Sequence, residues 1–489
     1  MVKVGLAAAD ISGCGWDDIP FRMPLEASCL GLGLVDGPFL VFSLDMMDLF
    51  PSQDDDLRGR IGRTLGCSDR RIVIHTTHSH TTPWGLDMTA ARMDSLTNVL
   101  VGCVSRALEQ AQPARIRCGR SEVPCRLSIN RRAEAGGGLG VQTFWYGYQY
   151  RAGDDRPDAS ALANEMQNRW LGRPGRYEPQ LEPVWFDGPV DPWVHAIAFE
   201  ALDGKPIGSL VRFSAHPHLA SCSGRRFYDP DFPGVVRRMM AKELGVPCMF
   251  LQGTDGNLVP AERVKYVLHP TRHGGQPDGV YMGATASLVA TNDDELFAEM
   301  DRIGSTIAQT AIKGLNRDAS SPLHIAAARH ERGSFDVNRN MPLTQSEVVR
   351  MRRCLAAEVL AFRRIGGPLS ELRRLANQIN SVDYVGYWVE HVLPKEGDKI
   401  ELPISAVRLG DAILAFMPCE VMADTTFELR KEFADAHFWT VGHSGGYGGY
   451  LPTQKMIDEG GYEGRQTAIG YDSEPQMRRE VSRLLRKLR

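Results

Sequence analysis

The chain has 489 residues, 43% of them hydrophobic and 24% charged, the balance of an ordinary globular protein rather than a disordered or fibrous one. A formal net charge of -4 and a pI near 6.4 supply no broad basic field, so the expected partner is a small-molecule substrate, with no nucleic acid and no membrane. No stretch approaches the roughly 20 apolar residues of a membrane helix, and the opening Met1 to Gly13 reaches Asp10 too soon for a signal peptide.

The first elements alternate β-branched runs with amphipathic stretches: a strand over Leu40 to Leu44, a helix near Asp55 to Leu65 stopped by Gly66, and a strand over Arg71 to Thr76. A long helix is predicted over Thr89 to Gln112. The segment 133–190 begins with a Gly-rich run, carries the aromatic cluster Thr143 to Tyr150, and reads as a lid or a surface insertion. Trp193 to Ala201 and Ile207 to Ser214, joined through Asp203-Gly204, read as a hairpin. A helix over Phe232 to Leu244, with Asp231 as N-cap, leads into a strand over Pro247 to Gln252.

From Leu343 the texture changes to a helical hairpin over 343–392, opened by a capping box of Thr344 and Glu347 and broken at Gly366-Gly367-Pro368. Strands return over Lys399 to Arg408 and Ala412 to Met417, followed by a helix over Met422 to Ala434. The fold class is therefore α/β, a single catalytic body over 1–489 with a mixed sheet flanked by helices. Ten scattered cysteines without a CxxC pair read as reduced thiols of a cytoplasmic protein.

Chemistry-bearing residues gather where strands end. His78 and His80 follow the strand Arg71 to Thr76, and a strand's period of two puts them on one face with His75 on the other. His216 and His218 flank Pro217, which cannot donate a ladder hydrogen bond, so pairing ends there. Glu420 follows the strand Ala412 to Met417 and precedes a helix, where an acid is a metal ligand or simply a helix N-terminal charge. The loop Gly442 to Tyr450 is rich in glycine, which implies tight turns or close approach to a ligand. Within it Gly442-His443-Ser444-Gly445-Gly446 satisfies the nucleophile-elbow pattern GxSxG, yet no histidine follows His443 to complete a hydrolase triad in the required order.

Together these pieces resemble the neutral ceramidase family. Its HTHSGPGG-type motif is similar to His78 to Gly85, its INR segment to Ile129-Asn130-Arg131, and its SADFPG-like segment to Asp229 to Gly234. Its PGE motif is similar to Pro418-Cys419-Glu420, and its AGY and YEG motifs, twelve residues apart, to Gly448-Gly449-Tyr450 and Tyr462-Glu463-Gly464. A weaker match surrounds Asp45. The resemblance implies one Zn2+ held by His78, His216, Glu420 and Tyr450, with His80, Arg131 and Tyr462 as catalytic or substrate-contacting groups.

Zinc would lower its bound water to a pKa of about 7 and supply hydroxide to attack a carbonyl. Tyr462 and Arg131 would stabilise the oxyanion, and His80 would move a proton to the departing amine. The expected reaction is cleavage of an amide (N-acyl) bond, with a zinc-dependent esterase or lactonase, a mononuclear iron enzyme and a Ser444 hydrolase as alternatives. Bulk at Thr81-Thr82-Pro83-Trp84, and Gly256 to Pro260 in place of a GDVxP-like segment, imply a pocket suited to a substrate more polar than ceramide. The chain ends 27 residues after Tyr462, so the immunoglobulin-like domain of the ceramidases is expected to be lacking. Nothing in the sequence sets the oligomeric state.

Overall fold

The computed structural model describes residues 2–16, 18–34, 37–135, 140–143, 188–264, 266–268, 288–317, 324–325, 328–337, 344–366, 400–434, 437–464 and 472–488, with isolated positions between 375 and 389 and at 467. Its frame is a nine-stranded mixed sheet. In spatial order the main path runs Cys248–Gln252, Pro206–Phe213, Trp193–Ala201, Gln112–Glu122, Lys3–Asp10, Glu26–Leu34, Gly37–Leu44 and Ile72–Thr76, with His324–Ile325 beside Gln112–Glu122. Both outermost pairs of this path are parallel, and the pairs between them are antiparallel.

The two ends of the path approach each other. The Gln252 N–H donates to His75 Nε2 at 3.0 Å, and Ser43 Oγ donates to the Phe250 carbonyl at 2.6 Å. A second sheet, ordered Ala328–Val337, Ile400–Leu409, Ala412–Phe416 and Phe438–Val441, packs on the first. Their shared core interleaves Phe39, Leu210 and Leu251 with Val407, Phe416 and Trp439.

The helices form where apolar spacing and capping agree. Ala90–Glu109 starts at Thr89, whose hydroxyl accepts the Arg92 N–H, and buries Met93, Leu96, Leu100, Val104 and Ala107 along one face. Each large apolar side chain buried there contributes roughly 1.5–3 kcal/mol. It lies against Lys3–Asp10 and Glu26–Leu34, so close that a Cβ on Gly5 would sit 1.8 Å from the Ala107 carbonyl oxygen. Asp231–Leu244 and Asp293–Arg317 pack together over the other half of the sheet, and Ser473–Leu488 covers the second sheet. The first helix, Pro51–Leu65, ends at Gly66 in the left-handed conformation.

Several predicted details are corrected or lie outside the described residues. Asp231 is the first helical residue rather than the N-cap, and its carboxylate accepts the N–H groups of Phe232 and Ala220. The capping box is present, with the Thr344 N–H donating to Glu347 and the Glu347 N–H to Thr344, and the helix runs Gln345–Ile365. The second helix predicted within 343–392 lies almost wholly outside the described residues. Most of 133–190 does too; its ends include the ribbon of Arg132–Ala135 with Gly140–Thr143.

Candidate metal centre

Five strands point their C-terminal ends at one place. The loops after Ile72–Thr76, Pro206–Phe213, Cys248–Gln252, Ala412–Phe416 and Phe438–Val441 carry His78, His216, Asp255, Glu420 and Tyr450 respectively. Main-chain hydrogen bonds tie these loops together. His78 N donates to Met46 O, His80 N to Pro217 O, His443 N to Cys419 O, Gly442 N to Gln252 O and Glu420 N to Gly449 O. Three non-glycine residues here have positive φ, His78 at 61°, Cys419 at 74° and His443 at 49°, conformations that need such over-determination to persist.

His78 and His80 do converge, with ring centroids 5.3 Å apart, but the pleat of a strand is not the cause. The strand ends at Thr76, and the left-handed turn at His78 redirects the chain. His75, still on the strand, is a buried structural residue. Its Nδ1 faces the Gly442 carbonyl at 3.0 Å while its Nε2 accepts from Gln252 N.

The imidazoles of His78 and His216 are fixed by their outer nitrogens. His78 Nδ1 lies 2.8 Å from the Met47 carbonyl, and His216 Nδ1 lies 2.8 Å from the Asp255 carbonyl. Carbonyls only accept, so each Nδ1 carries a hydrogen and each Nε2 is turned inward. Both Nε2 atoms face Glu420 Oε2, which is 3.0 Å from His216 Nε2 and 3.6 Å from His78 Nε2. Tyr447 donates to the other carboxylate oxygen at 2.7 Å.

Burial lowers the His78 imidazole, but the Glu420 charge and hydrogen bond push it up to about 9, so without a metal a proton sits among these groups, the place a divalent ion would take. His78 Nε2 and His80 Nε2 are buried without a hydrogen-bond partner, one orphaned atom in the ligand set and one beside it. The ligand atoms of His78, His80 and His216 lie within 4.8 Å of one another, so the donor set fits a divalent ion. Burial would raise the Glu420 carboxyl, but the imidazoles of His78 and His216 hold it well below the usual carboxylate range. Burial, with His78, His216 and His218 nearby, keeps His80 neutral, well below the ordinary imidazole value.

On the other flank, Tyr450 pairs with Glu420 across two short parallel strands, Glu420–Val421 and Tyr450–Leu451. Its phenol oxygen accepts from Arg131 Nη2 at 3.0 Å, and the Tyr462 ring stands edge-on to it at 5.4 Å. Burial and the Glu420 charge push the Tyr450 phenol well up, while the Arg131 guanidinium opposes them. Arg131 is only 1% exposed and also donates to the Gly256 carbonyl and to Glu463, both at 2.7 Å. It therefore stands behind Tyr450 rather than among the histidines.

Ser444 is 2% exposed and donates to the Gly442 carbonyl at 2.9 Å. Its nearest imidazole atom, His75 Nδ1 at 3.4 Å, carries hydrogen toward that same carbonyl and cannot serve as a base. Sequence reasoning gave no role to Asp255, Tyr447 or Glu463, and saw His443 only inside the GxSxG pattern. Asp255 accepts from His443 Nε2 at 2.8 Å; Glu463 accepts from Arg131, Arg132 and Thr143. A buried acid directly after an apolar strand was the available signal for Asp255, as it was for Glu420.

The sequence matches no protein-family model and no curated protein. Solved structures resemble it over 100% of its length, among them two ceramidases. The crystal structure of neutral ceramidase from Pseudomonas aeruginosa is 18% identical with a TM-score of 0.62 over 74% of that chain. A ceramidase complexed with C2 is 16% identical with a TM-score of 0.63 over 75% of that chain. At these identities the likeness is one of architecture, and this chain has the mixed α/β fold of the neutral ceramidases.

Proposed function

We propose that the protein is a metal-dependent hydrolase, one catalytic body over 1–489, that cleaves an amide bond of a small N-acyl substrate. One Zn2+ per chain is held by His78, His216, Glu420 and Tyr450. The observation that carries this reading is the meeting of two imidazole Nε2 atoms on one buried carboxylate oxygen, with both outer nitrogens locked by carbonyls. The ceramidase-like fold supports an amide as the scissile bond. When bound, zinc supplies Lewis acidity and a water acidified to near neutral pH.

The chain's own groups do the rest. His80, kept neutral and with Nε2 unpartnered, takes a proton as water attacks the carbonyl and delivers it to the departing nitrogen. Tyr462 stabilises the developing oxyanion. Arg131 acts through Tyr450, holding the phenol oxygen in place. Trp84, 39% exposed, stands four residues after His80 where the ceramidase motif is glycine-rich, and that departure is the ground for a substrate more polar than ceramide. The scattered spacing of the ten cysteines, with no CxxC pair, is the ground for a reducing, cytoplasmic setting.

The test is metal analysis of the wild type, His216→Ala and Tyr450→Ala, joined to a mass-spectrometric screen of N-acyl amides and esters. One zinc per chain, lost in both variants together with amide hydrolysis, is the expected result. His80→Ala should keep the metal and lose turnover. Metal-free protein with full activity would overturn the mechanism, and turnover of esters alone would replace the amidase with an esterase.

A further inference from the structure

We propose that Asp255 and His443 form a positioning pair that orients both histidine ligands of the metal centre, a step that rests on reading His78 and His216 as ligands. The His443 ring lies face to face with His78, centroids 3.9 Å apart and planes 21° from parallel. Its Nε2 donates to Asp255 Oδ1 at 2.8 Å. The main-chain carbonyl of the same Asp255 accepts Nδ1–H of His216, also at 2.8 Å. One fully buried residue thus reaches both imidazoles, His216 directly and His78 through a stacked ring.

Nothing in this pair is free to slide. The second Asp255 oxygen accepts from Gln252 Nε2 at 2.8 Å, and the His443 backbone is bonded on both sides, its N–H to Cys419 O and its carbonyl to Thr76 N. His78 draws on such support. Its backbone is left-handed, its outer nitrogen has the one bond to Met47, and while His80 and His216 meet the ring edge-on at 5.3 and 5.2 Å, His443 covers its face at the closest centroid distance, 3.9 Å. A ligand ring held a few tenths of an ångström off its productive position binds metal less tightly, and loss of an outer partner typically costs 10–100-fold in affinity. Asp255 also adds a buried negative charge beside the ligands, 3.6 Å from His216 Nδ1, which favours a divalent cation there.

The experiment compares full-length wild type, Asp255→Asn, His443→Phe and His443→Ala, each stripped of metal. Zinc affinity is read by competition with a chromophoric chelator, and geometry by the visible absorption of the Co2+-substituted proteins. Asp255→Asn should weaken zinc binding by about 10–100-fold and alter the cobalt spectrum. His443→Phe keeps the stacked face but loses the donor to Asp255, so it should fall between wild type and His443→Ala. If His443→Ala does not fold, the near-isosteric Asp255→Asn and His443→Phe decide.

Zinc affinity within twofold of wild type in both of those variants, with an unchanged cobalt spectrum, would overturn the pair while leaving the ligands intact. Wild-type protein that takes up no metal would overturn the ligand reading and the pair together.

Discussion

Replacing Glu463 by Gln removes one charge from a site with almost no water and changes side-chain volume little. Glu463 is fully buried, and its partners Arg131 and Arg132 are 1% and 5% exposed in their side chains. It accepts from Arg131 at 2.7 Å, Arg132 at 3.1 Å and Thr143 at 2.7 Å. Gln keeps one acceptor oxygen but turns an amide toward donors that need an acceptor, and leaves two guanidinium groups without their shared counter-charge. Breaking a buried pair in this way costs about 3–5 kcal/mol, whereas an exposed pair is worth about 0–1 kcal/mol. Urea denaturation followed by tryptophan fluorescence measures the difference. Arg131→Met with Glu463→Gln should lose less than the sum of the two single variants, because removing the cation also removes part of the uncompensated charge. A loss under about 1 kcal/mol for Glu463→Gln, with strictly additive singles, would refute the claim that this pair is desolvated.

Other consequences are open to simpler measurement. Ser444→Ala should retain wild-type hydrolysis and metal content, since its hydroxyl only donates to Gly442 O; a thousandfold loss would reinstate a serine nucleophile. Tyr447→Phe removes the hydrogen bond to Glu420 and should weaken zinc about tenfold in chelator competition, and undiminished affinity would show that the phenol is idle. Burial pushes the Asp231 carboxyl up to about 7, so the folded protein keeps a proton that the unfolded chain releases above about pH 4. The stability this contributes is full below the unfolded value and is lost as pH rises through 7. Wild type should therefore lose stability relative to Asp231→Asn between pH 4 and 7, and a pH-independent difference between the two would contradict the shift.

The strands and helices were largely readable because their signals are local: a Thr89 cap, a Gly66 stop, and a turn at Asp203-Gly204, where Gly204 has φ 87°. His78, His216 and Glu420 were readable as candidates because each follows an apolar strand. Their mutual geometry was not, since it depends on two sheets packing so that five strand ends converge, a long-range fact with no local trace. The reason given for His78 and His80 facing together failed on one backbone angle, which alternation cannot foresee in a residue other than glycine. Arg131 was legible as a candidate from its motif, while its buried bonds to Glu463, Gly256 and Tyr450 span more than 300 residues of sequence in two of three cases and left no local trace.

The convergence of loops as distant in sequence as His78 and Tyr450 bears on how the chain lives as well as how it acts. No contiguous fragment carries the site, so a metal held as proposed would have to wait for the most distant contacts, which are the slowest to close. A cation that prefers the finished fold stabilises it by mass action, and rare openings that expose the chain to proteases become rarer still. Metal supply would then govern abundance as well as turnover, with metal-starved chains cleared while loaded ones accumulate.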